Sequence, residues 1–161
     1  MPIELLQRMP IFGAIREDVL HVLLGGAGSV EVAPGGCFFR EGDEAGSMFV
    51  LEAGRASVLK GWQGREFVLH HLDAGDCFGE MALMDLCPRS ATVQADQPCR
   101  AIEFTPADLF RVFEFDAEQF ALIQMNLGRE VCRRLRATDE LLFRAGMGEV
   151  PVPPPGRFQA G

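Results

Sequence analysis

The sequence lacks the segments that mark membrane and secreted proteins. No apolar run among its 161 residues is long enough to span a bilayer. The first residues, MPIELLQRMP, contain no basic start followed by an apolar core, so they do not indicate a signal peptide. The five cysteines are odd in number and form no C-x-x-C pair. They predict reduced thiols, mostly packed as small hydrophobic side chains, in a cytoplasmic protein without membrane contacts.

Positive charge is also scarce. The chain has 15 Lys and Arg residues against 23 Asp and Glu residues, a formal net charge of −8 at pH 7. Such a surface disfavours a long anionic polymer as a partner of the whole protein. A small anion can still bind, because one buried arginine decides the charge of a single cavity. The length and the 48% hydrophobic composition predict one domain with a substantial core.

The spacing of apolar residues changes twice along the chain. Residues 3–25 have helical spacing, whereas residues 30–104 consist of short apolar runs separated by glycine-bearing turns. Helical spacing returns over 106–145, and the Pro- and Gly-rich residues 146–161 predict a flexible tail. We therefore predict an α+β fold in one domain over residues 1–145. It is an antiparallel β-roll, jelly-roll-like with about eight strands, with N-terminal helices and a long C-terminal helix.

Local signals predict a hairpin and the starts of the C-terminal helices. GWQG, between RASVLK and REFVLHHL, is typical of a β-hairpin turn. Thr105 is a candidate N-cap, and Pro106 fits the first helical position, where its missing N–H costs nothing. The long helix carries one apolar stripe: Phe120, Ile123, Leu127, Val131, Leu135, Thr138 and Leu142.

Histidine is rare, which bears on catalysis. A metal enzyme built on a small β-roll needs several histidines and a carboxylate around one ion, and this chain has only His21, His70 and His71. His70 and His71 are adjacent in a predicted strand, so they point to opposite faces and cannot share a metal. No Ser–His–Asp or Cys–His constellation is recognisable. The sequence predicts neither an enzyme nor a metal or other cofactor.

The segment FGEMALMDLCPRSATV, residues 78–93, places Glu80 and Arg89 in otherwise apolar surroundings. GEMALM fits one short helical turn after Gly79, and Pro88 ends it, so that Arg89 opens an extended segment. The free N–H groups at the start of such a turn attract an anion, and an arginine can donate two hydrogen bonds to a phosphate. Ser90 adds a hydroxyl and an N–H beside it.

Glu80 fits an anion site only if the ligand also carries a hydroxyl, because a carboxylate accepts hydrogen bonds. A ligand with a compact anion and a ribose-like hydroxyl satisfies both residues. The alternative is a Glu80–Arg89 ion pair that serves the fold alone. The residue types leave both interpretations open.

Residues 78–93 closely resemble the phosphate-binding cassette of the cyclic nucleotide-binding domain family; we call them the cassette. The family pattern stands here as Phe-Gly-Glu-Met-Ala-Leu at 78–83 and Pro-Arg-Ser-Ala-Thr-Val at 88–93. FREGDEAGSMFVLEAGRASVL and LDAGDCFGE also resemble the family, and the resemblance extends over about residues 5–142. It implies a cyclic nucleotide as the ligand, cAMP in preference to cGMP.

The resemblance also implies roles for single residues. Gly79 and Ala82 would present N–H groups to the cyclic phosphate, and Arg89 would pair with its charge. Glu80 would accept from the ribose 2′-OH. Ser90 would add a phosphate contact, and a hydroxyl there leaves cAMP versus cGMP open. The candidate ligand-binding residues of the cassette are Phe78, Gly79, Glu80, Met81, Ala82, Arg89, Ser90 and Ala91.

The long helix adds a second resemblance. CRRLRATDE is similar to the helix through which the catabolite activator protein group reaches the adenine amino group, partly across the subunit boundary. The matching positions are Thr138 and Asp139, with Asp139 in place of the usual serine. Thr138 can equally be a tolerated hydroxyl on a packed helix face. The resemblance implies a possible homodimer through this helix.

The DNA-binding members of that group carry a winged helix-turn-helix after this helix. Here only 16 residues follow Ala145. We therefore expect no DNA binding by this chain, and we interpret the arginines at 129, 133, 134 and 136 as a solvated helix face. The prediction is a stand-alone cyclic nucleotide receptor that signals to an unknown effector protein. The alternatives are a scaffold that binds no nucleotide and a cyclic di-nucleotide receptor.

Overall fold

The computed structural model describes residues 2–148 and, for the backbone alone, residues 159–160. Helices α1 and α2 stand before the strands, with a 3-10 turn at Pro10–Phe12 between them. Their bounds are Pro2–Gln7 for α1 and Glu17–Leu24 for α2.

Eight strands follow, from residue 28 to residue 104. They are β1 Gly28–Val32, β2 Cys37–Phe39, β3 Met48–Ala53, β4 Arg55–Trp62, β5 Arg65–Asp73, β6 Cys77–Phe78, β7 Thr92–Ala95 and β8 Cys99–Phe104. The short helix α3 interrupts the roll, and two longer helices come after it. Their bounds are α3 Ala82–Asp85, α4 Pro106–Phe115 and α5 Ala117–Gly146.

The strands form two antiparallel sheets. One has the order β1-β8-β3-β6, and the other has the order β2-β7-β4-β5-β9, where β9 is the backbone pair Gln159–Ala160. The fold class predicted from the sequence, an antiparallel jelly-roll-like β-roll with helices at both ends, is confirmed. The flexible tail predicted for residues 146–161 lies mostly outside the described residues and stays a prediction.

The hairpin and the helix start that the sequence indicated are both present. The β4–β5 turn consists of Gln63 and Gly64, whose φ angles of 49° and 75° are both positive, as a two-residue hairpin turn requires. Thr105 caps α4, and the N–H of Asp108 donates to its side chain while the Asp108 carboxylate accepts from the Thr105 N–H. Pro106 occupies the first turn of α4.

The long helix α5 is packed only along its first half. Ile123 and Leu127 are fully buried against the N-terminal helices, and the buried Asn126 donates hydrogen bonds of 3.0 Å to the carbonyl oxygens of Ile11 and Gly13. From residue 132 onward every described side chain is exposed, so the predicted apolar stripe lies uncovered in its second half. Among the described residues, no helix combines the length and the apolar composition that a bilayer crossing requires.

Candidate functional site

One cavity of about 230 Å³ lies between the cassette, strands β4 and β5, and helix α5. All eight cassette residues singled out from the sequence line it: Phe78, Gly79, Glu80, Met81, Ala82, Arg89, Ser90 and Ala91. The side chains of Phe39, Val58, Leu69 and His70 contribute the rest of its wall on the strand side. The cavity therefore has an apolar side opposite two oppositely charged residues of the cassette.

Gly79 turns the chain where the cassette begins, and only a glycine fits there. Its φ of 74° lies in the left-handed region. A Cβ at this position would lie 2.5 Å from Nη1 of Arg89 and 3.3 Å from the carbonyl oxygen of Ser47. The missing side chain thus allows the turn and also lets the guanidinium of Arg89 approach the backbone.

Arg89 is a buried cation, and no carboxylate in the described part of the chain pairs with it. Its residue is only 7% exposed, its guanidinium lies 4.0 Å from the ring centre of Phe39, and it forms no salt bridge with any described residue. Nη1 donates a long hydrogen bond of 3.3 Å to the Gly79 carbonyl, and Nε has no hydrogen-bond partner among the described residues. Burial lowers the pKa of Arg89, an effect that the charges of Glu103 and Asp43 partly offset. Such a group gains from an anion that supplies the missing partner.

Glu80 is paired, but not with Arg89. The carboxylate, 1% exposed, forms an ion pair with Nη1 of Arg134 on α5. The Nε of Arg134 lies 3.4 Å from Oε1 of Glu130 on the same helix. The alternative of a Glu80–Arg89 pair that serves the fold is therefore wrong. The side chain of Arg134 is 44% exposed, so it is partly solvated as expected, but its pair with Glu80 was not expected. Arg134 also lines the cavity.

Arg134 is the site residue that the sequence reasoning missed. It lies four residues before Thr138, on the same side of a helix, so the resemblance that singled out Thr138 carried a signal for it. The neighbouring Arg133 donates instead to Glu130 and is largely exposed, in agreement with a solvated face. Arg129 is likewise exposed and donates to Asn126.

Thr138 and Asp139 do not line the cavity. Both are exposed on the unpacked half of α5, and the Thr138 hydroxyl donates to the carbonyl oxygen of Arg134 at 3.0 Å. Their contact with a base stays a prediction, and it requires that α5 moves or that a second copy supplies them.

The backbone donors of the cassette are partly used within it. The N–H of Ala82 donates to the carbonyl oxygen of Gly79 at 3.2 Å, so in this structure it is not the free donor that the resemblance implied. Ser90 is exposed, and its carbonyl oxygen accepts from Nζ of Lys60 at 2.5 Å. Ser90 lies at the rim of the cavity. The contact of its hydroxyl with a phosphate stays a prediction.

Two of the five cysteines line the cavity, and they differ in burial. Cys77 is buried, and burial together with the charge of Glu80 raises the pKa of its thiol to about 12. Cys87 is exposed, and so is Cys132 on α5, which does not line the cavity. The cysteines are free thiols, as predicted, but the expectation that most of them are packed holds only for Cys77 and Cys99.

The fold brings a serine, a histidine and an aspartate together away from the cavity, which the sequence reasoning did not find. Ser57 donates to the carboxylate of Asp96 at 2.8 Å and contacts Nδ1 of His71 at 3.0 Å. The same Nδ1 is 3.5 Å from Asp96. In a hydrolase triad the serine and the carboxylate occupy different nitrogens of the imidazole. Here both share one nitrogen, and the arrangement joins neighbouring strands instead of activating the serine.

Proteins of known description are similar to this chain in sequence. The family described as the cyclic nucleotide-binding domain matches residues 29–116. A cAMP-dependent protein kinase regulatory subunit of Blastocladiella emersonii is 33% identical over 91 residues, which are 56% of this chain and 23% of the relative. A CRP-like cAMP-activated global transcriptional regulator of Mycobacterium tuberculosis is 26% identical over 149 residues, which are 92% of this chain and 65% of the relative.

The fold is also similar to solved structures. The N-terminal domain of a transcriptional regulator from Streptomyces coelicolor superposes with a TM-score of 0.70 at 28% identity, covering 84% of this chain and 95% of that one. The chain spans less than two thirds of the length of the two relatives above, so their whole activities do not transfer with the match. The family match, in contrast, includes more than half of the chain and the whole cassette. The protein belongs to the cyclic nucleotide-binding domain family.

Proposed function

We propose that the chain is a receptor for a cyclic nucleotide, cAMP in preference to cGMP, which signals to a protein partner through a rearrangement of α5. The observation that carries this proposal is Arg89. It is a buried cation that lines a cavity, has no carboxylate partner among the described residues and keeps an unused Nε. A bound phosphate would supply the hydrogen bonds and the negative charge that the guanidinium lacks.

The charges around the cavity restrict which phosphate fits. Two cations, Arg89 and Arg134, and two carboxylates, Glu80 and Asp85, line the cavity, and Arg134 is already paired with Glu80. A polyphosphate would place several negative charges beside these carboxylates, which costs free energy by like-charge repulsion. The phosphate of a cyclic nucleotide carries one negative charge. The ribose of that nucleotide has a hydroxyl that can donate a hydrogen bond to Glu80.

Arg134 gives the mechanism that couples the ligand to α5. In this structure its guanidinium is paired with the Glu80 carboxylate, which is the group that would accept a hydrogen bond from a ribose hydroxyl. The cavity of about 230 Å³ is also smaller than the roughly 300 Å³ at which ligand cavities usually begin, and this side chain is part of its lining. A nucleotide would release Glu80 from Arg134 and favour the state in which α5 has moved. The ligand shifts that equilibrium only by its difference in affinity for the two states.

The preference for cAMP rests on the relatives. The kinase subunit and the transcriptional regulator are described as cAMP-dependent and cAMP-activated. Ser90 at the rim leaves the choice of base to measurement.

We further propose that the output is a contact with a protein and not with DNA. The net charge is −8, and on α5 Arg133, Arg134 and Arg144 are each paired with a glutamate. The exposed apolar side chains on the second half of α5, such as Leu135 and Leu142, favour a partner helix, which can belong to a second copy. We regard the domain as a regulatory binding module without catalysis, and we keep its cytoplasmic location as a proposal.

Calorimetric titration with cAMP, with cGMP and with cyclic di-GMP tests the ligand. We expect saturable binding of cAMP, and Arg89→Lys should weaken it by about 1.5 to 3 kcal/mol, since a point charge replaces a two-pronged donor. Arg100→Lys is the matched control, because Arg100 is exposed and pairs with Glu52 away from the cavity. Unchanged affinity in Arg89→Lys would contradict the site.

The role of Glu80 is tested with a ligand that lacks the hydroxyl. Glu80→Gln should weaken the binding of cAMP less than Arg89→Lys does. It should change the affinity for 2′-deoxy-cAMP only a little. The scaffold alternative has one observation in its favour, which is that Glu80 already has a partner in Arg134. Absence of heat and of any shift in melting temperature with all three nucleotides would support the scaffold instead.

A further inference from the structure

A half-buried glutamate, Glu103, lies on the side of strand β8 that otherwise carries only small apolar residues. Cys99 and Ala101 face the interior between the two sheets, and Glu103 follows them with the two-residue period of a strand. Its Cα is paired with that of Phe49 on β3, and the ring of Phe49 lies against Arg89. Glu103 lies outside the cassette, and it forms no ion pair with any described residue. Its position in this strand therefore needs another explanation.

Ser47 connects this carboxylate to the guanidinium of the anion site. The buried Ser47 hydroxyl donates to Oε1 of Glu103 at 2.6 Å, and Nη2 of Arg89 donates to the same hydroxyl at 3.5 Å. The first hydrogen bond is short, as expected when a carboxylate accepts, and the second is long. Glu103 therefore faces Arg89 from behind, opposite the cavity, at a distance beyond a direct ion pair.

We propose that Glu103, acting through Ser47, is the resident counter-charge of Arg89: it stabilises the buried guanidinium while the cavity holds no anion, and it weakens the attraction that Arg89 exerts on one. This inference rests on the proposed function for its second half, because the anion in question is the cyclic phosphate. Glu103 is a positioning residue, since it reaches the ligand only through Arg89. The charge of Glu103, and to a smaller extent that of Asp43, also opposes the lowering of the pKa of Arg89 by burial.

Both halves follow from the same Coulomb interaction. A buried charge without compensation destabilises the folded state, and a negative charge behind the arginine reduces that cost. The same negative charge repels an incoming phosphate, and the repulsion is felt because the surroundings are poor in water. Removal of the charge should therefore make the empty protein less stable and make the anion bind more tightly. If Glu103 merely packed in the roll, its substitution would lower both the stability of the empty protein and its affinity for the anion.

Glu103→Gln is the variant that separates these outcomes, because its amide oxygen can still accept from Ser47 while the charge is lost. We expect its dissociation constant for cAMP to fall by about three- to tenfold and the urea midpoint of the empty protein to fall as well. Glu52→Gln is the matched control: Glu52 also lies in this sheet and also loses one charge, but it pairs with Arg100. An affinity for cAMP that is unchanged or weaker in Glu103→Gln, with wild-type affinity in Glu52→Gln, would overturn the inference.

A second measurement needs no nucleotide. Glu103→Gln, Arg89→Met and the double variant form a cycle in urea unfolding, with Ser47→Ala as a milder break of the same connection. We expect Glu103→Gln to lower the midpoint in the wild-type background and to have little effect once Arg89 is neutral. An equal fall in the urea midpoint with and without the arginine at position 89 would overturn the proposal that Glu103 is the counter-charge. If the wild type binds no nucleotide, the proposed function fails on its own, and this cycle still decides whether Glu103 compensates Arg89.

Discussion

Arg134 forms an ion pair with Glu80, although the two residues are 54 positions apart. Glu80 belongs to the cassette and is buried, whereas Arg134 belongs to α5, at the point where the helix loses contact with the roll. Few described contacts join this half of α5 to the roll, so this pair has a large share in deciding where that part of the helix lies. A ligand that competes for Glu80 therefore acts directly on the helix.

Arg134→Gln tests whether the helix and the ligand compete for Glu80. Loss of the guanidinium leaves a buried carboxylate unpaired in the empty protein, and a ribose hydroxyl would then relieve it. We expect calorimetry to show cAMP affinity raised by about three- to tenfold, which corresponds to about 0.7 to 1.4 kcal/mol. The melting temperature of the empty protein should fall.

Arg133→Gln is the control for Arg134→Gln. Arg133 is the adjacent residue, it pairs with Glu130, and it does not line the cavity. The control should leave cAMP affinity unchanged within about twofold, since surface ion pairs contribute little. Weaker cAMP binding in Arg134→Gln would mean that the arginine contacts the nucleotide and does not compete with it.

The comparison of Glu80 with Arg134 shows what the sequence could predict. Glu80 and Arg89 lie in one local pattern with fixed spacing, so a turn, a short helix and a Pro break were enough to predict that both face one site. The partner of Glu80 depends on how α5 packs across the roll, which no local spacing encodes. Local spacing therefore predicts a solvated Arg134 and carries no sign of its pair with Glu80.

The cluster of Ser57, His71 and Asp96 could not be predicted from local spacing either. Each comes from a different part of the roll, and only the strand register brings them together. The roll itself was predictable, because glycine-bearing turns and two-residue alternation are local signals. Contacts between side chains distant in sequence were not.

Gly79→Ala should impair both the fold of the cassette and the anion site. The φ of 74° strains any residue with a side chain, and the added Cβ would collide with Nη1 of Arg89. We expect a loss of about 1 to 3 kcal/mol in the free energy of unfolding and at least tenfold weaker cAMP binding. Gly46→Ala is the control, because nothing lies within 4 Å of a Cβ there and its φ is not positive. Equal stability and equal affinity in the two variants would show that the turn tolerates a side chain.

Asn126→Ala should loosen α5 from the N-terminal segment. The Asn126 amide donates to the carbonyl oxygens of Ile11 and Gly13, and its removal leaves a buried acceptor without a partner. We expect a loss of about 2 to 3 kcal/mol in urea unfolding. Arg136→Ala, an exposed change on the same helix, should stay within about 0.5 kcal/mol of the wild type. A loss in Asn126→Ala no greater than that of the control would mean that α5 is anchored by its apolar contacts alone.

Stability at alkaline pH should depend on Cys77. The pKa of its thiol is about 12 in the folded protein against an ordinary value of 9.0, so above pH 9 the unfolded chain releases a proton that the folded protein retains. Stability is therefore complete below pH 9 and is lost as the pH rises toward 12, by about 1.4 kcal/mol at pH 10. Urea unfolding at pH 7.5 and pH 10 should show a smaller alkaline loss in Cys77→Ala than in the wild type. Cys87→Ala, which removes an exposed thiol from the same cavity, should keep the wild-type loss. An identical loss in all three proteins would show that the Cys77 thiol titrates as freely in the folded protein as in the unfolded chain.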